Sequence, residues 1–138
     1  MGIFRGIKST YRKIQAAALI ENLLREEKEN GNFEGDPQST ATGLVRDCWD
    51  ILGELLSGKM TGGRPHKVVI AAQSLAKAIE DTDASDPNYT AYGMALSRLL
   101  QAAEDHQVQL GLTAGDFGVF DEAFRTLKNQ QDELSELL

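Results

Sequence analysis

The sequence predicts an all-α protein: an up-and-down antiparallel bundle of four to five helices, with residues 1–138 forming a single helical-bundle domain. Three observations lead there. Apolar residues recur at three- and four-residue spacing along most of the chain, and no stretch alternates with the period of two that a strand requires. Helix openings carry proline, at Asp36-Pro37, Pro65 and Asp86-Pro87, where its fixed φ and missing N–H suit the first turn. The breaks between the periodic segments are short, and short connections join antiparallel neighbours.

The first predicted helix runs from about Ile3 to Glu29, with Phe4, Ile7, Tyr11, Ile14 and Ala18 on one stripe, and NGNFEG ends it. A second starts at Asp36-Pro37 and closes near Ser57; Leu44, Cys48, Ile51 and Leu55 share a stripe, with Val45, Leu52 and Leu56 beside it. Trp49 borders that stripe and is expected to be partly buried. Pro65 opens a third helix ending near Asp81, apolar over much of its circumference and therefore expected to be the most buried.

Asp86-Pro87 opens the fourth, whose stripe of Tyr89, Tyr92, Leu96, Leu99, Ala103 and Leu110 puts His106 at the core edge. In LTAGDF, Thr113 and Asp116 have capping-box spacing, and Leu112 and Phe117 hold the staple positions. The fifth helix follows, with Phe117, Phe120, Phe124, Leu127, Leu134 and Leu138 at heptad spacing interrupted at Gln131. It is expected to pack on the bundle first, with a homodimer through this helix as a second use. DPQSTATGL at 36–44 and DPNYTAYGM at 86–94 align in register. They read either as a duplicated hairpin with Gly43 and Gly93 at equivalent close contacts, or as shared capping chemistry.

Composition bounds the function. A charge of −7 excludes a generally nucleic-acid-binding surface, which needs clustered Lys and Arg over a broad face. Cys48 is the one cysteine, so no internal disulfide forms and a reducing, cytoplasmic setting is expected. No apolar run approaches the roughly 20 residues that span a bilayer. The basic start lacks the compact apolar region of a secretory signal, and Gly6 stands where a myristoylation pattern wants Ser or Thr.

Four motifs suggest chemistry and lack its context. GELLSGKMT at 53–61 has the Gly53, Gly58, Lys59 spacing of a phosphate loop, but Met60 replaces the Mg²⁺-binding hydroxyl and the motif closes a helix. Asp47, Asp50 and Glu54 share a helical face, as in Mg²⁺-dependent phosphohydrolases, yet no facing acidic pair is evident. EDTDASD at 80–86 opens like a calcium loop, but Asp86 stands where glycine is needed and Tyr92 where glutamate is needed. His66 and His106 have no zinc-ligand spacing. No cofactor, metal or catalytic residue is expected.

Charge segregation is the stronger feature. No Asp or Glu occurs in 1–20, which carries Arg5, Lys8, Arg12 and Lys13, nor in 57–79, which carries Lys59, Arg64, Lys67 and Lys77. In an antiparallel bundle the basic segments share one end, and the connections at 26–36 and 80–86, with the C-terminus, make the other end acidic. The leading expectation is a cytoplasmic, non-catalytic adaptor docking a partner protein with an acidic surface through Phe4, Arg5, Ile7, Lys8, Tyr11, Arg12, Lys59, Arg64 and Lys67. The alternative is a peripheral membrane protein whose amphipathic N-terminal helix wedges Phe4, Ile7 and Tyr11 into an anionic surface. A Mg²⁺-dependent phosphohydrolase comes third, and mimicry of nucleic acid by the acidic end fourth.

Overall fold

The computed structural model describes the backbone of residues 2–59 and 66–137 and the side chains of 11–48 and 66–137. Among these residues there are six helices and no strand: α1 (Gly2–Glu29), α2 (Pro37–Lys59), α3 (Lys67–Asp81), α4 (Tyr89–Asp105), α5 (Gln107–Leu110) and α6 (Ala114–Leu137). The helices pack on one another as an all-α bundle, with α3 touching α1, α2, α4 and α6.

The central place of α3 follows from its composition. Val68, Val69, Ile70, Ala71, Ala72, Leu75, Ala76, Ala78 and Ile79 are all buried, so neighbours cover it nearly all round. Its start is capped by His66, whose Nδ1 accepts from Val68 N–H at 3.1 Å. Ser74 is fully buried, and its hydroxyl satisfies itself by donating to Ile70 O at 2.8 Å.

Two helix starts that look alike in sequence differ in space. Asp36 caps α2 directly, its carboxylate accepting from Ser39 N–H at 3.1 Å. At Asp86 the carboxylate accepts instead from Asn88 N–H at 2.8 Å, forming a turn, and α4 starts only at Tyr89. Asn88 is held there by a reciprocal pair with the α1–α2 connection: Oδ1 accepts from Glu34 N–H at 2.7 Å, and Nδ2 donates to Glu34 O at 2.9 Å. The glycines differ too. Gly93 lies against Gln130 of α6, whereas Gly43 meets only the end of Arg46, so the aligned segments do not make equivalent close contacts.

These contacts fix how the helices run past each other. Leu23 and Glu27 meet Arg98, Phe33 meets Tyr92 edge-on at 6.2 Å, and Glu34 meets Asn88, so α1 and α4 are traversed in opposite chain order. Contacts of α3 and α6 run in the same order, from Gln73–Val119 to Glu80–Thr126.

Two expected burials fail. His106 is exposed, because α4 stops at Asp105 and the chain kinks there into the single turn α5, which Gly111 closes in the left-handed region at φ 69°. Phe124 is 62% exposed, because α6 turns Phe120, Ala123, Leu127 and Gln130 inward instead. Ala123 takes the core-facing position, and its bulky neighbour Phe124 is left outside. On α1, Tyr11, Ile14 and Ala18 of the predicted stripe face outward, and Ala16, Ile20, Leu24 and Glu27 form the buried side; Phe4 and Ile7 lie outside the residues whose side chains are described. The capping box of α6 does form, with Thr113 N–H donating to Asp116 at 2.8 Å and Asp116 N–H to Thr113 Oγ1 at 3.4 Å. Trp49 lies outside the residues whose side chains are described.

Candidate functional site

α1 is apolar on two opposite faces, and the bundle uses one of them. Positions 18 and 20 stand about 200° apart around a helix, so packing Ile20 inward turns Ala18 outward. The run AAALIENLL at 16–24 is the denser apolar segment and wins the core. Tyr11 and Ile14, one turn apart on the other side, are each left 61% exposed. Arg12 and Lys13, both half-buried, lie between them in the chain. Beyond Ala18 the exposed positions are polar: Asn22, Arg25, Glu26, Lys28 and Glu29. The apolar outward face therefore belongs to the first half of the helix alone.

Of the residues expected to carry partner binding, Tyr11 and Arg12 lie on this half of α1 and Lys67 lies in the first turn of α3, half-buried. Phe4, Arg5, Ile7, Lys8 and Lys59 are outside the residues whose side chains are described, and Arg64 is outside the described residues altogether. Asp47 is exposed beside Arg46 at 3.6 Å, while Asp50 and Glu54 also fall outside the described side chains. Among the described residues, no three His, Cys, Asp or Glu side chains are arranged to hold a metal ion. Among the described residues, no helix is long and apolar enough to cross a membrane.

The other end of α1 carries a polar cluster that periodicity does not reveal. Glu27, only 2% exposed, takes Arg98 Nη2 at 2.8 Å and Asn32 Nδ2 at 3.0 Å. Arg98 also reaches Glu26 and donates to Leu23 O at 3.1 Å, which ties α4 to the end of α1. A sequence clue exists, since Glu27 is a lone charge that continues the Ile20, Leu24 stripe. Its partner cannot be read off, because Arg98 lies 71 residues away. Beside this cluster a groove of about 510 Å³ opens between α1, α4 and α6, with Met94, Leu127 and Leu134 as its apolar lining and Arg98 and Gln131 among its polar residues.

A second cavity of about 320 Å³ lies between the end of α3, the start of α4 and α6, lined by Glu80, Asp83, Tyr89, Thr126 and Glu133 among others. Tyr89 donates its hydroxyl to Glu133 at 2.9 Å. Burial, then the carboxylate that accepts its proton, pushes the phenol up to about 12. The buried Cys48 thiol is also raised, chiefly by desolvation, so it stays protonated and unreactive near neutral pH. Neither arrangement pairs a nucleophile with a base. Compared with protein-family models, curated proteins and solved structures, the chain matches none.

Proposed function

We propose that this chain is a non-catalytic interaction protein of the cytoplasm that docks an acidic surface of a partner protein through the first half of α1. One observation carries the reading: Tyr11 and Ile14, 61% exposed each, stand on a segment that contains Arg12 and Lys13 and, from residue 1 to 20, no carboxylate. Apolar anchors at i and i+3 beside cations are the pattern by which a helix enters an acidic-rimmed groove. Their burial by a partner, at about 25 cal/mol per Å² of apolar surface, supplies affinity, while the cations supply orientation and on-rate. The lone cysteine, buried as a thiol, supports a reducing compartment.

The test is charge reversal at Arg5, Lys8 and Arg12 together. Capture of the partner from host extract should be lost, while circular dichroism checks that the reversed chain still folds. Flotation on anionic vesicles runs in parallel: if Phe4→Ala abolishes vesicle binding while protein capture persists, the α1 face is a membrane wedge instead. If the triple reversal leaves every interaction intact, the reading is wrong.

A further inference from the structure

We infer that the acidic partner of the α1 face includes a second copy of this chain, with copies associating head-to-tail. The inference rests on the docking role of α1 and names what that face can dock.

Charge complementarity within one molecule motivates it. Tyr11 and Glu27 are separated by about 24 Å along α1, so the apolar and basic segment lies well away from the acidic end. There Glu29, Glu34 and Asp86 are exposed, Glu26 and Glu27 share Arg98, and Glu133 of α6 reaches Tyr89. The cation Lys28 is turned onto Gly35 O at 2.6 Å. A surface of this sign attracts a segment that carries Arg5, Lys8, Arg12 and Lys13 within roughly a Debye length, about 8 Å at physiological salt.

The same end holds a receptacle of suitable chemistry. In the groove between α1, α4 and α6, Met94 is 42% exposed and Leu134 half-buried, so apolar surface there faces water. Seating Tyr11 and Ile14 of another copy against Met94 and Leu134 removes both patches from solvent at once. A copy cannot fill its own groove, because Glu27, which lines it, stands on the same straight helix as Tyr11 and about 24 Å further along. The contact is consequently heterologous: each copy offers one knob and one groove, and the assembly extends or closes into a ring.

Sedimentation of the full chain from micromolar to near-millimolar concentration tests this. The weight-average mass should rise with concentration and fall back when salt is raised from about 0.1 M to about 1 M. Ile14→Glu removes the knob and Met94→Lys the groove; both sites are exposed, and circular dichroism checks that each variant folds. Each should be monomeric alone. Mixed in equal amounts they should form a 1:1 dimer, since the Met94→Lys copy retains its knob and the Ile14→Glu copy its groove. A wild-type chain that stays monomeric throughout, or variants that stay monomeric when mixed, would overturn head-to-tail association. If the wild type is monomeric and the triple charge reversal still abolishes capture of a host protein, self-association alone is wrong. If neither experiment responds, the docking role of α1 falls with it.

Discussion

Gln130 occupies the space that a side chain on Gly93 would need: a Cβ there would lie 1.9 Å from Oε1 and 2.8 Å from the amide carbon. With that room, Gln130 is 4% exposed and donates Nε2 to Tyr89 O at 2.8 Å, a bond from α6 into the first turn of α4. Glycine inside a helix costs about 1 kcal/mol in backbone entropy relative to alanine. At this position the helix–helix contact offsets that cost.

Gly93→Ala should therefore destabilise the protein by about 1–3 kcal/mol through overpacking, measured by urea unfolding. Gly43→Ala, at a position with only the tip of Arg46 within 4 Å, should be neutral or stabilising. Combining Gly93→Ala with Gln130→Ala should cost less than the two changes added, because the shortened side chain removes the clash.

Arg98→Met should cost about 3 kcal/mol, since it strands the Glu27 carboxylate in a site that is 2% exposed. Glu27→Met with Arg98→Met should recover most of that loss, as apolar replacement of both partners removes the buried charge. Additive losses in the double variant would show that Glu27 and Arg98 are not energetically coupled.

Tyr89 should give the fold an alkaline limb. Its folded-state phenol is raised above the ordinary value of 10 to about 12. Its contribution to stability is thus complete below pH 10 and is lost as pH rises from about 10 to about 12. Tyr89→Phe should be less stable at neutral pH and show a shallower decline over that window. The check is urea unfolding at stepped pH; an unchanged slope would count against the Tyr89–Glu133 bond.

Cys48 should resist alkylation in the native state. At 2% exposure and with its thiol raised by burial, it should react with iodoacetamide only as fast as the bundle opens, while the unfolded chain reacts at an ordinary thiol rate. Mass spectrometry of quenched time points separates the two.

The sequence by itself determined the all-helical class, the segment of highest burial and most helix boundaries, because those depend on local spacing and capping chemistry. Asp36-Pro37 and the Thr113/Asp116 box act as their residues dictate, since each cap is satisfied within its own turn. Val68 to Ile79 is apolar almost all round and leaves no doubt about where it goes.

Tertiary structure decided what local spacing leaves degenerate. α1 has apolar residues on both sides, and only competition for the core turned Tyr11 and Ile14 outward and Ile20 and Leu24 inward. On α6 the inward face took Phe120, Ala123, Leu127 and Gln130 and left Phe124 outside, a choice that heptad spacing alone does not make. α4 began at Tyr89 and not at Pro87 because Asn88 was engaged by Glu34, 54 residues earlier. The Glu27–Arg98 pair and the groove beside it likewise exist only once distant segments meet. A side chain's preference for helix or cap is settled by neighbours a few residues away, whereas the face it presents to water is settled by which surface can bury the most apolar area with every enclosed charge paired.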